Sequence, residues 1–136
     1  MSMGRELVNL LAANGLGEYE VDLFLNFLPE TPVVCGSVFE TAGAAPTAGF
    51  GVQGIQHESP AVQIRFRGEA FDVEGPRVKA HTAYRLCMTQ WGVVLSGTKY
   101  LTLKPMQAPF ILERDGNNRV VWTFNAIAEK EPSATI

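Results

Sequence analysis

The chain has 136 residues, 46% hydrophobic and 18% charged, with a formal net charge of −3; that is enough for one core, and residues 1–136 read as a single domain. The acidic balance, with no basic run, excludes a protein that grips nucleic acid through a basic patch. No apolar run approaches the ~20 residues of a membrane-spanning helix. The N-terminus lacks the basic and apolar regions of a secretory signal, so the expected compartment is the cytosol.

Arg5 to Ala13 reads as a first helix, with Leu7, Leu10 and Leu11 on one stripe and Val8 beside it. Ser2 suits the N-cap, and Asn14-Gly15 suits the stop because both residues tolerate the left-handed conformation. Val21 to Leu28 alternates as a strand. Its second face, Asp22, Phe24, Asn26 and Leu28, is mixed, which suits either a strand covered on both sides within the chain or one that leans its outer face on a neighbouring subunit; Pro29 and Pro32 end it. Val33 to Glu40 is the next strand. Thr41 to Pro60 has no period and is rich in alanine, glycine and proline, yet it carries Phe50, Val52 and Ile55. It reads as a long loop, an arm that orders against a partner, because a loop of this length in a compact domain is usually functional.

In Ala61 to Glu69, Val62, Ile64 and Phe66 alternate with Gln63, Arg65 and Arg67. Period two makes this a half-buried strand. Pro76 opens a helix, and Ala80, Ala83, Tyr84, Cys87, Met88 and Trp91 fall at spacings of three and four down one stripe. Gly92 is its expected stop. Thr98 to Lys104 is a strand. Phe110 to Arg114 and Arg119 to Ala128 flank Asp115-Gly116-Asn117-Asn118, a strong turn signal, and so form a β-hairpin. Residues 130–136 are an expected frayed tail. The predicted class is α+β: an antiparallel or mixed sheet with two α-helices packed on one face, plus a hairpin and a long loop.

The residues point to no catalytic constellation. Cys35 and Cys87 read as buried free thiols of a reducing compartment. A Cys35–His57 pair is the one nucleophile–base arrangement available, and its spacing matches no nucleophile motif. His57-Glu58 is a single pair and Asp115 stands alone, so neither metal nor cofactor is expected. Gly49-Phe50-Gly51 and Gly54 lack the lysine of a phosphate loop. Arg65 and Arg67 share the polar face of the central strand with Gln63. A planar guanidinium fork there suits carboxylates of another subunit.

Several short motifs, in order, carry a resemblance. They are Phe27-Leu28-Pro29-Glu30-Thr31-Pro32, Phe39-Glu40-Thr41-Ala42-Gly43-Ala44-Ala45-Pro46, Val62-Gln63-Ile64-Arg65-Phe66-Arg67-Gly68, the helix with Ala80 and Tyr84, Leu95-Ser96-Gly97-Thr98-Lys99-Tyr100, Ala108-Pro109, and Trp122-Thr123-Phe124-Asn125. Together they resemble the tail terminator, or tail completion, proteins of long-tailed bacteriophages, often described as minor capsid proteins, over roughly residues 5 to 130. Ala42 stands where that family's loop has glycine.

The resemblance implies a structural virion protein rather than an enzyme. It implies a subunit that assembles with itself into a ring, a hexamer, at the head-proximal end of the tail. The ring stops tube polymerisation and meets the head–tail connector or stopper protein, while DNA passes through its lumen without specific binding. It is made in the host cytoplasm and needs no membrane. Gln63, Arg65, Arg67 and Phe24 are then expected at the subunit interface. Phe50, Val52, Ile55, Asp115, Asn117 and Asn118 are expected to dock on the tube or the connector. Two rival readings are a head-side stopper ring and, from another class, a small hydrolase or ligand-binding domain using Cys35 and His57.

Overall fold

The computed structural model describes residues 1–47 and 57–132, and the chain-order elements within them are two helices and seven strands. Helix α1 is Met3–Ala13 and α2 is Glu74–Met88; the strands are β1 Leu23–Leu25, β2 Cys35–Thr47, β3 His57–Ala70, β4 Trp91–Leu95, β5 Thr98–Pro105, β6 Phe110–Arg114 and β7 Arg119–Lys130. They form one mixed sheet in the order β1-β2-β3-β7-β5-β4, with β6 also paired to β7. Only the β1–β2 pair is parallel. Strands β5 and β6 follow one another along the same edge of β7: β5 lies opposite Ala126 to Lys130, and β6 opposite Val120 to Thr123.

The alternation on β3 decides where the core lies. Val62, Ile64 and Phe66 are buried with Val38 of β2, Phe124, Ala126 and Ala128 of β7, and Tyr100 and Leu103 of β5. Both helices pack on this face. From α1 come Met3, Leu7, Val8 and Leu11, and from α2 come Ala80, Ala83 and Cys87. Small residues on the α2 stripe let the helix lie close to the sheet, so the bulky rings come from the strands. Gly36 serves the same packing: a Cβ there would sit 2.6 Å from the Phe66 ring. Tyr100 is the largest fully buried side chain. Its hydroxyl donates to Glu6 Oε1 at 2.8 Å; burial first, and then this carboxylate, push the phenol well above its ordinary range.

Helix α1 follows the sequence reading closely. Ser2 Oγ accepts from the Arg5 N–H at 3.3 Å, and Gly15 past the C-cap has φ +79°. Elsewhere tertiary contacts move the boundaries. The strand expected over 21–28 shrinks to three residues. Asp22 Oδ1 turns back to accept from the Glu18 N–H, and Asn26, at φ 65°, leaves the strand to bond Glu40 through both ends of its amide. The stripe expected to run to Trp91 ends at Met88. Thr89 and Gln90 side chains donate to the Leu86 carbonyl and close the helix, so Trp91 begins β4 and is 64% exposed. The loop expected over 41–60 is largely strand at both ends: β2 continues to Thr47 and β3 starts at His57, paired through Ala44↔Ser59 and Thr47↔His57 with two register shifts. A ribbon of alanine and threonine needs only main-chain hydrogen bonds, which leave no hydropathy period to read. The frayed tail likewise starts later than expected, because β7 includes Lys130.

Glu40 fastens α1 to the sheet. Its Oε2 accepts from the Gly4 N–H at 3.2 Å, where the positive end of the helix favours an anion. Burial acts to raise this carboxyl, but hydrogen bonds from Asn26, Ser2 and Gly4 outweigh it and hold it below the ordinary 4.5. A depressed folded pKa stabilises the fold above the unfolded value and loses that contribution as pH falls through the folded one. Wild type should therefore be more stable than Glu40→Gln at about pH 7, and the gap should close as pH falls below about 4.5. Urea unfolding across that range checks it; a gap that stays constant with pH would show that the Glu40 carboxylate adds nothing as a charge.

Candidate functional site

The face of the sheet opposite the helices carries Phe24, Ser37, Arg65, Thr123 and Phe110 in one cross-strand row, and Phe39, Gln63 and Asn125 in the next. The centre of this face is a three-residue cluster. The Arg65 guanidinium lies 4.3 Å from the centroid of the Phe39 ring, and its Nε donates to Gln63 Oε1 at 2.7 Å. All three are half-buried. A cation held flat on an aromatic ring keeps its outer N–H groups free for a planar acceptor. Phe24 is also on this face but is only 8% exposed, packed 5.1 Å from the ring of Phe27, which is far more open to solvent.

Arg67 shares the period of Arg65 and has a different fate. It is 4% exposed. Its Nε donates to the Val33 carbonyl at 2.8 Å, and its Nη2 reaches the carbonyls of Pro29, Glu30 and Pro32 and the Cys35 sulfur. The expectation of a guanidinium projecting toward a neighbour is corrected here: the connector over 29–33 folds across this end of the face, and Arg67 collects its carbonyl oxygens. A second arginine holds the same connector from the hairpin. Arg119 Nη2 is 2.9 Å from Glu30 Oε2, and its Nε is 2.6 Å from Asp115 Oδ2.

Asp115 is committed within its own chain. Oδ1 accepts from the N–H groups of Asn117 and Arg119. These bonds, the Arg119 N–H first, hold the carboxyl below its usual range. Asp115 thus shapes the turn, while Asn117 and Asn118 at its tip are exposed, Asn118 with φ 59°. Phe50, Val52 and Ile55 lie outside the described residues. The structure therefore brings Phe24, Gln63 and Arg65 onto one face, sets Asn117 and Asn118 at the end of the β6–β7 hairpin, turns Arg67 inward and engages the Asp115 carboxylate within the hairpin turn.

Two features escaped the sequence reading. Phe39 becomes the platform for Arg65 only through the β2–β3 register, and no local pattern marks that pairing. Phe110, Ile111 and Leu112 of β6 are 39%, 47% and 36% exposed. Three consecutive apolar residues beside a turn signal an edge strand only once β6 is known to pair on one side.

Cys35 and His57 do not meet. Cys35 begins β2, and His57 pairs with Thr47 at the far end of that strand. The Cys35 thiol is buried, and burial pushes it above its ordinary value against the opposing pull of Arg67. Among the described residues no group of three or more histidine, cysteine or acidic side chains is placed to hold a metal ion. No described helix is long and apolar enough to cross a membrane.

A family model described as bacteriophage tail terminator protein matches residues 10–132. No curated protein matches the chain.

Replacing Arg67 with alanine would strand the carbonyls of 29–33 and remove a buried cation. A loss of about 3 kcal/mol is expected by denaturant unfolding, together with faster amide exchange over 29–35. Arg65→Ala should cost under about 1 kcal/mol, as expected for a half-exposed cation–ring contact. Equal costs for the two would show that the structure misassigns their roles.

Proposed function

We propose that this chain, which belongs to the bacteriophage tail terminator family, works as a closed ring, a hexamer, on the head-proximal end of the tail tube. The family makes it a structural component of the phage tail. The ring ends tube polymerisation and presents its other side to the head–tail connector, forming the tail side of the joint. Assembly in the host cytoplasm, before the virion is complete, is part of the same reading.

The observation that carries the ring is the uncovered sheet face. Both helices lie on the opposite face, so among the described residues no helix covers the half-buried Arg65–Phe39–Gln63 cluster, while Ser37 and Thr123 beside it are buried. A ring requires two different surfaces on each subunit, because a head-to-tail contact must close on itself. The open face is one of them. Arg65 then meets a carboxylate of the next subunit, and Phe24 stiffens the margin of the contact from below. The hairpin tip, Asn117 and Asn118, and the part of the arm that carries Phe50, Val52 and Ile55 serve the tube and the connector. A net charge of −3 suits a lumen that lets DNA pass without holding it.

Purified protein added to tail tubes that lack a terminator should produce ring density at one end, seen by negative stain, with tube length held constant. Arg65→Glu should stay folded and lower the occupied fraction of tube ends by about tenfold or more, since each subunit repeats the lost contact. Arg67→Glu is a poor probe of the interface because it would unfold the 29–33 connector. Binding to DNA-filled heads, with none to tubes, would move the protein to the head side as a stopper ring.

A further inference from the structure

Strand β6 is an unguarded edge. One side pairs with β7, and among the described residues no strand lies on the other. Natural sheets shield such edges with charges, prolines or very short strands. Here Phe110, Ile111 and Leu112 are consecutive, apolar and exposed, and the charges Glu113 and Arg114 come only at the hairpin end. The main-chain groups of this edge, flanked by large apolar side chains, are a template for an added strand.

The same subunit carries a second open edge of different character. Strand β1 stops at Leu25, opposite Val38, so past Glu40 the outer side of β2 has no strand beside it among the described residues. Thr41 to Ala45 is exposed, uncharged and free of proline, and no side chain is larger than threonine. Its other side is paired to β3 at Thr41↔Ala61 and Ala44↔Ser59, so it is already extended, and docking would cost little ordering entropy. The open edge of β2 runs on to Thr47 through Pro46, so Thr41 to Ala45 is the part of it that keeps every main-chain N–H, and it is long enough to span the five residues of β6. Small side chains on one edge leave room for phenylalanine, isoleucine and leucine on the other. Within a chain the two edges cannot meet, because β3 and β7 stand between β2 and β6.

We propose that β6 of one subunit is extended by the Thr41–Ala45 edge of the next, so that neighbouring sheets join main chain to main chain. The two edges differ, so the contact is head-to-tail and can close into a ring. This inference rests on the ring reading above and names the chain segments that make the ring.

Cysteine crosslinking on terminator-free tail tubes tests it. One preparation carries Ala42→Cys or Ala44→Cys, and the other Ile111→Cys or Leu112→Cys. Native Cys35 and Cys87 are both buried and do not compete. A mixture of the two preparations should give a disulfide-linked dimer under mild oxidation, and neither preparation should give it alone. A chain with both substitutions should give a ladder of linked subunits from the tube ends. The double variant Ile111→Lys with Leu112→Lys should keep its melting temperature, since both positions are exposed, and lose about tenfold or more in ring occupancy. Rings that form with no disulfide from any of the four pairs overturn the strand pairing and leave the ring reading standing. Rings that survive in the lysine variant but no longer bind tails overturn it too, and assign the edge to a tail or head protein. Wild-type protein that forms no ring on tubes overturns both readings.

Discussion

The pairing of β3 with β2 on one side and β7 on the other is the constraint on which the rest of the structure depends. These two ladders run along most of β3, from Ala61 to Arg67 without interruption on both sides. A strand paired on both edges cannot slip by one residue without sending Val62, Ile64 and Phe66 to the open face and Gln63, Arg65 and Arg67 into the core. Its register therefore fixes both faces at once. The apolar face gives α1 and α2 a surface to bury against, and the polar face gathers the Arg65–Phe39–Gln63 cluster.

Four polar side chains then do locally what the core does globally. Glu40 holds the start of α1 to β2, and the Tyr100 hydroxyl meets Glu6 inside the core. Arg67 and Arg119 converge on the connector over 29–33 from two different strands. Each joins segments distant in sequence, and the buried ones, Tyr100, Arg67 and Arg119, are costly to disturb because a buried polar group left without its partner loses its solvation and regains nothing. Among the described residues, the edges of β2 past Glu40 and of β6 have no strand beside them.

Much of the fold was legible in the residues. Helix α1 with its Ser2 cap and Gly15 stop, the alternation of β3, the hairpin around Asp115 to Asn118 and the α+β class all come from local chemistry: capping, period and turn propensity act within a few residues. The order of short motifs also pointed to the tail terminator family, although each motif alone is unspecific. The candidate site was legible in part. Gln63, Arg65 and Phe24 do share the face opposite the helices, because a two-residue period reports the face of a strand. Arg67 was placed on an accessible surface and turns inward instead, while Asp115 stays partly exposed with its carboxylate bonded within the hairpin turn.

What the sequence by itself determined is the set of faces: which side chains of each element point together, and where the chain must turn. What only the tertiary structure decided is what lies over those faces and beside those edges. Arg65 and Arg67 have the same period, but a connector more than thirty residues upstream, Pro29 to Val33, covers only the second. Thr41 to Thr47 has no hydropathy pattern, yet it is strand because β3 supplies its hydrogen bonds. Trp91 is in phase with the α2 stripe, yet it leaves the helix to pair with Thr102 of β5. In each case the deciding partner is remote along the chain. Periodicity carries no information about a hydrogen bond or a contact whose other half is that far away.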